Sequence, residues 1–368
     1  MRSEKREKAV DLLKRKGLNG LVLFSNGTCS ILSPSYLHYF SEFKPLGPRN
    51  AVILSASGET TLLVDPPWDS IRASRKSWIQ DVRGTADFIR DLARIMRTSN
   101  LSGPVGLVGS EEMTQDLHTA LQREANIVPA DEIIEEIARN RTDKEIEVIR
   151  KTSRIADVGS KAFVELGRVG MREYELVAEL EYAMRSSGAD DTFILISSGK
   201  HNREMHEPKD RRFQKEDIII GEITPVCDGQ YMQLCRTIIL GEATPLLVDK
   251  YGILTRALEE SLSMMRPGVL ASLITTTMNG IIGAAGYQKY CNPPYMRSRG
   301  HGFGVGSIAP GPEITADMKT HLEEGQVVAV HPNQYLPETG YLACGETVLI
   351  TDSGIERLAR TENRLYHK

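Results

Sequence analysis

The stretch Asp217-Ile-Ile-Ile-Gly-Glu222-Ile-Thr-Pro-Val-Cys-Asp228-Gly229-Gln-Tyr-Met-Gln233-Leu-Cys-Arg236-Thr-Ile-Ile-Leu240 decides how the chain is read. Asp-Gly between two apolar runs is the strongest short signal of a β-hairpin, because both turn residues must take positive φ. With Asp228-Gly229 as the two-residue turn, Thr224 lies opposite Gln233. Glu222 then shares a face with Gln233 as its diagonal neighbour. A carboxylate inside such an apolar run is at least partly buried, and burial demands either a partner or a raised pKa. Arg236 is a candidate partner, which would make Glu222 structural; otherwise Glu222 is functional.

Outward from the hairpin, three more segments place polar residues where periodicity asks for apolar ones. Arg299-Gly-His301-Gly-Phe-Gly-Val-Gly306 alternates glycines around a histidine. A phosphate cradle would need a helix to follow promptly, and Ser307-Ile-Ala-Pro-Gly-Pro312 cannot start one. The glycines instead suit close approach of backbone or substrate in extended chain. Gly325-Gln-Val-Val-Ala-Val-His331-Pro-Asn-Gln-Tyr335 ends an apolar strand on a histidine, and Gly340-Tyr-Leu-Ala-Cys-Gly345-Glu346-Thr-Val follows as a second strand. Upstream, His201-Asn-Arg-Glu-Met-His206-Glu-Pro-Lys-Asp210 sets two histidines in a polar loop. Each histidine has a structural reading beside the functional one.

The first half of the chain reads as a small α/β domain. Ala9, Val10, Leu12 and Leu13 recur with helical period, Gly17 closes that helix, and residues 18–24 form a buried strand. Strands at 51–55 and 60–65 are joined by Ala56-Ser-Gly-Glu59, and a short strand covers 105–108. Residues 131–168 are helical and interrupted near Asn140, where Thr142 followed by Glu145 makes a capping box. Helices are expected at 172–187 and about 249–265, with mostly strands and turns after them. The domains are expected at 1–135 and 136–368, an α/β N-terminal domain followed by an α+β domain.

Composition narrows the partners. Among 368 residues, 45 Lys plus Arg stand against 49 Asp plus Glu, a net charge of −4. A nearly balanced chain has no overall field for a polyanion, so no nucleic acid is expected. No apolar run approaches the roughly 18 residues of a membrane span, and the charged start Met1–Lys8 lacks a signal-peptide core. Five dispersed cysteines (29, 227, 235, 291 and 344) without CxxC fit a reduced, cytoplasmic protein. Cys235 shares a face with Gln233 and reads as packing.

Taken in order, His206 with Pro208 and Asp210-Arg211, the Asp228-Gly229 turn, Arg236-Thr237, Gly300-His301-Gly302, His331-Pro332 and Glu346-Thr347-Val348 resemble the creatinase/aminopeptidase P/prolidase (M24) superfamily. The resemblance covers nearly the whole chain. It implies a creatinase-like N-terminal domain, to which Tyr39-Phe-Ser-Glu-Phe43 and Arg49 belong, followed by a pita-bread domain. Peptidases of that superfamily hold two divalent metals with two Asp, one His and two Glu. Here those positions fall on Glu222, Gln233, His301, His331 and Gly345. Carboxylates that would bridge cations about 3.5–4 Å apart are gone. Glu346 is one residue displaced, and neighbouring strand residues face opposite ways unless a bulge intervenes.

The resemblance therefore implies a member nearer to creatinase and ectoine hydrolase. The expectation is a metal-independent hydrolase of a C–N bond in a small amidine, guanidine or amide, with no cofactor. His206 would be general base; Glu222 would be nucleophile or electrostatic stabiliser; His301 and His331 would hydrogen-bond the tetrahedral centre. Gln233, Arg236, Tyr335 and Glu346 would orient substrate. Arg49 would reach a substrate carboxylate across a homodimer. Two alternatives stand beside this: a single-metal Xaa-Pro dipeptidase-like hydrolase using Glu222, His301 and His331, and a non-catalytic binding protein.

Overall fold

Gly17, with φ +66°, ends the first helix and turns the chain into the strand that centres the N-terminal sheet. The computed structural model describes every residue except 1, 29, 30, 32, 33, 307–309 and 312, and only the backbone at 2 and 3. Cys29 and the segment 307–309 therefore lie outside the described residues. The chain divides into two compact units, Met1–Arg139 and Asn140–Lys368.

The first unit alternates helix and strand. Its helices are α1 (Arg2–Lys16), α2 (Tyr36–Ser41), α3 (Ser70–Lys76), α4 (Phe88–Thr98), α5 (Gln115–Glu124) and α6 (Asp131–Ala138). Its strands are β1 (Gly20–Ser25), β2 (Arg49–Ser55), β3 (Thr60–Asp65), β4 (Asp81–Gly84), β5 (Pro104–Val108) and β6 (Asn126–Pro129). They form one mixed sheet in the order β4-β3-β2-β1-β5-β6. Central β1 is buried along its whole length, which explains its near-continuous apolar sequence.

The second unit opens with α7 (Asp143–Leu166), whose Thr142 and Glu145 cap each other's backbone N–H groups as a capping box. There follow α8 (Glu173–Ser186), β7 (Asp191–Gly199), β8 (Ile218–Cys227), β9 (Gln230–Tyr231), β10 (Leu234–Ile239), α9 (Pro245–Met264) and α10 (Ser272–Ile282). The rest is strand: β11 (Gly300–Phe303), β12 (Val327–Val330), β13 (Gln334–Leu336), β14 (Gly340–Leu342), β15 (Glu346–Ile350), β16 (Ile355–Arg357) and β17 (Leu365–His367). One sheet runs β17-β10-β8-β7 with β9 paired to β8, a second runs β11-β12-β15-β16, and β13 pairs with β14. The Cys235–Gly345 bridge stitches the two larger sheets together.

Helix α10 departs from the expectation of strands and turns after residue 265. Its run of Thr275, Thr276 and Thr277 has weak helix propensity, but Ile274, Met278 and Ile282 recur every four residues and are fully buried. Packing of that stripe overrides the local preference.

Strand β8 sorts its residues by alternation. Ile219 and Ile223 pack under α7 and α8 with Phe163, Leu180 and Met184. Ile218 and Ile220 belong instead to the cluster that holds Leu254 and Leu258 of α9, Ile274 of α10 and Val328 and Val330 of β12. Glu222 continues this second face, so the strand's period aims its carboxylate at the space beside β12.

Candidate active site

Asp228 (φ 44°) and Gly229 (φ 78°) form the tight turn, and the register follows from it. Val226 pairs with Tyr231, Ile223 with Leu234 and Glu222 with Cys235. In β11, His301 pairs with Ala329 of β12, which puts it beside His331 at the end of that strand. The two imidazole rings lie 5.4 Å apart between centroids. Gln233 Oε1 meets His301 Nε2 at 3.1 Å, and Gln233 Nε2 lies 3.8 Å from Cys235 Sγ. Asn333 fastens the wall behind them: its Oδ1 accepts from Cys344 N at 2.8 Å and its Nδ2 points to Cys235 Sγ at 3.5 Å.

The electrostatics are set by burial. Glu222 has no hydrogen bond or ion pair among the described residues, and burial pushes its carboxyl up to about 7, with Arg297 pulling weakly the other way. Burial lowers His301 to about 4. It lowers His331 to about 3, with His301 adding to the effect. Both rings are therefore neutral at physiological pH, the form that binds metals and accepts hydrogen bonds. Neither ring nitrogen of His331 has a hydrogen-bond partner. Burial also pushes the Cys235 thiol up to about 12, which keeps it protonated and poorly nucleophilic.

Gly345 explains the geometry of this wall. A Cβ at that position would lie 2.7 Å from His331 Cβ and 3.2 Å from Cys235 Sγ. The imidazole of His331 therefore stands against a backbone that has no side chain to give. Gly345→Ala is expected to displace the ring and reduce turnover at least about 10-fold, while the thermal midpoint falls by only a few degrees. Steady-state kinetics with a melting curve check this.

Arg236 and Glu346, expected to orient substrate, are bound to each other. Arg236 is fully buried and its Nη2 meets Glu346 Oε1 at 3.0 Å. The same guanidinium donates to the carbonyls of Cys235, Gly345 and Thr361 at 3.1, 2.9 and 3.0 Å. Both of its terminal amino groups are consumed by the fold, while Nε is buried without a partner. Burial raises Glu346 to about 6 even with Arg236 beside it. Alternation along β15 turns Glu346 away from the face that Gly345 presents to His331.

The remaining expected residues have these surroundings. His206 donates from Nδ1 to the Glu207 carbonyl, 2.7 Å away, and that nitrogen stands 4.0 Å from Glu173 Oε2. Tyr335 packs its ring among His201, Tyr290 and Tyr295, with centroids 5.5 to 6.0 Å apart. Arg49, in the first unit, places Nε 2.8 Å from Asp65 Oδ2. Two residues outside the sequence-based set do belong to the pocket. Tyr341 is buried, its hydroxyl has no partner, and the charges acting on it are those of Arg297, Arg299 and Glu222. Arg297 is exposed and donates from Nη2 to the Met205 carbonyl at 2.9 Å. No local pattern marks either residue.

No three His, Cys, Asp or Glu side chains among the described residues form a ready-made metal shell. The donor types, one carboxylate and two neutral imidazoles, nevertheless suit one borderline divalent cation, and the unpartnered nitrogens of His331 and carboxylate of Glu222 await a ligand. A cation pair does not fit, since Gln233 and Gly345 offer no bridging carboxylate.

Comparison with known proteins bears on this pocket. Residues 147–352 match the model of metallopeptidase family M24, and residues 5–139 match the creatinase/prolidase N-terminal domain. The Xaa-Pro dipeptidase of Pyrococcus furiosus is 28% identical over 339 residues, covering 91% of this chain and 94% of the relative. The creatinase of a Bacillus species is 25% identical, covering 91% of this chain and 87% of its own. The prolidase structure from Pyrococcus horikoshii superposes with a TM-score of 0.86 at 24% identity, covering 98% of this chain and 99% of that one. These relatives overturn the expectation of a metal-independent amidine or guanidine hydrolase without cofactor. Xaa-Pro dipeptidases within a metallopeptidase family favour the single-metal alternative instead. The two-domain order and the hydrolysis of C–N bonds are common ground. The chain belongs to metallopeptidase family M24, with a creatinase-like N-terminal domain ahead of a pita-bread domain.

Proposed function

We propose that the chain is an Xaa-Pro dipeptidase-like hydrolase of a small substrate, working with one divalent cation held by Glu222, His301 and His331. The observation that carries this reading is His331, a buried imidazole with both nitrogens unpartnered, which Gly345 sets across from Cys235, the strand partner of the unpaired carboxyl Glu222. Leaving a buried polar group unsatisfied costs about 1–3 kcal/mol, so a fold that keeps several together keeps them for a ligand. When bound, the cation supplies Lewis-acid polarisation of the scissile carbonyl.

The chain's own groups do the rest. Gln233 Oε1 fixes the His301 ring by accepting from Nε2–H at 3.1 Å, so the lone pair that ring can offer a cation is on Nδ1. Asn333 holds the loop after His331 to the Cys344 backbone, so that imidazole cannot swing away from the pocket. Among the described residues no helix is long and apolar enough to cross a membrane.

Hydrolysis of Ala-Pro by protein loaded with Mn²⁺, Co²⁺ or Zn²⁺ tests the reading. Elemental analysis is expected to give one cation per chain, and chelation to remove activity that the cation restores. Absence of a bound cation, or activity indifferent to chelation, would overturn it.

A further inference from the structure

Arg154, Val158, Lys161 and Glu165 recur along one side of α7 at spacings of three and four residues. The segment 360–366 lies beside them, and the two border a cavity of about 490 Å³. That is within the range of roughly 300–1,000 Å³ typical of small-molecule sites. Helix α7 covers the Ile219 and Ile223 face of β8, opposite Glu222, so this cavity is separate from the catalytic pocket. Hydrogen bonds fix its far wall. Asp157 accepts from Arg360 N and Thr361 N at 3.0 and 2.9 Å, and from Thr361 Oγ1 at 2.8 Å. The Thr361 carbonyl accepts in turn from buried Arg236 at 3.0 Å.

We propose that this cavity binds a small amphipathic monoanion, an apolar chain or ring that carries one carboxylate. The guanidiniums of Arg154 and Arg360 both line it, and neither has a hydrogen-bond or ion-pair partner among the described residues. Guanidiniums are donors only, so two that line one cavity ask for an acceptor. A carboxylate answers best, because it takes paired N–H groups from a planar guanidinium in charge-assisted bonds. Ser160 also lines the cavity, and its buried hydroxyl has no partner.

The charge count selects a monoanion. Three cations, Arg154, Lys161 and Arg360, line the cavity with two acids, Asp157 and Glu165, which leaves one positive charge in excess. Both acids are spent, Asp157 on the donors above and Glu165 on Lys161 at 3.7 Å. A polyphosphate would still meet their repulsion. The rest of the lining asks for an apolar body. Val164 and Tyr366 pack on the core beneath, and Val158 is 38% exposed, so a chain or ring laid over them leaves water at little cost. The inference does not rest on the hydrolase reading above.

Calorimetric titration of the full chain with octanoate, octanamide and acetate tests the assignment. Octanoate is expected to bind at least about 10-fold more tightly than octanamide, which lacks only the charge. It should bind at least about 100-fold more tightly than acetate, which lacks the chain. In the same series 3-phenylpropanoate separates a ring from a chain, and the tighter of the two acids names the body. Arg154→Met and Arg360→Met in one chain should erase the preference for octanoate over octanamide with the melting temperature unchanged, since neither guanidinium holds the fold. Val158→Glu, which sets an acid on the exposed rim, should weaken octanoate more than octanamide. Octanoate bound no more tightly than octanamide by the wild type, or octanoate affinity undiminished in the double variant, overturns the proposal. Hydrolysis of Ala-Pro does not enter these titrations, so a failure of the hydrolase reading leaves their outcome standing.

Discussion

Glu222→Gln is expected to remove bound cation and at least about 10³-fold of turnover while leaving the fold intact. The substitution keeps size and burial, and it removes a carboxylate that no residue of the described structure pairs with. The folded chain gains from it in the absence of cation, because an unpaired buried carboxyl disfavours its own ionisation. Folding holds Glu222 protonated up to about 7, above its range in the unfolded chain, so its ionisation costs stability progressively as pH rises from about 4.5 through 7. The amide introduced by Glu222→Gln cannot ionise, so the variant loses that slope. Cation binding runs the other way: a cation must displace the Glu222 proton below about 7, so affinity should fall by about tenfold per pH unit there. Metal titrations between about pH 5.5 and 8 read this directly. A stability slope between about pH 4.5 and 7 that survives undiminished in Glu222→Gln would assign that titration to another group.

How much of this is open to the sequence differs from residue to residue. The Asp228-Gly229 turn fixes the pairing of two strands to the residue, because only one register lets both turn residues take positive φ. From that register follow Glu222 facing Gln233 and Cys235, and a carboxyl with a raised pKa. Histidines 301 and 331 are equally legible, each standing in an extended segment where alternation points inward. Arg236 and Glu346 stand differently. Arg236 follows Cys235, and Glu346 follows Gly345, so alternation already turns both away from the pocket face. A place in a family motif is not a place in the site, and this part of the motif holds a buried ion pair that stitches strands. The loss of bridging carboxylates argues against a metal pair but not against a single metal, because three donors of other types remain. Tyr341 and Arg297 give no signal at all. Each is held by a long-range contact, at Asn202 and Met205, that no window of sequence contains.

That ion pair makes the largest stability prediction. Arg236 is fully buried, and Glu346 is 5% exposed. Removing one partner of such a pair leaves a buried charge uncompensated and costs about 3–5 kcal/mol, whereas replacing both can be nearly neutral. Arg236→Met should therefore lower the melting temperature of the second unit by roughly 10 °C, given about 2–4 °C per kcal/mol at this size. Glu346→Gln in the same chain should recover much of the loss, since a neutral amide needs no counter-ion. The pH dependence separates charge from packing. Burial already raises the Glu346 carboxyl to about 6, and without Arg236 only the charge of Arg357 opposes that rise. In Arg236→Met the folded state then holds the proton still more firmly, so its stability must fall as pH climbs above the unfolded carboxyl range. The deficit relative to wild type should be small near about pH 5 and largest near about pH 8. A deficit constant across that range would mean that Arg236 acts through its bonds to the Gly345 and Thr361 carbonyls rather than through Glu346. Those bonds also predict a second consequence: loosening Gly345 frees the backbone against which His331 is set, so activity should decline before the unit melts.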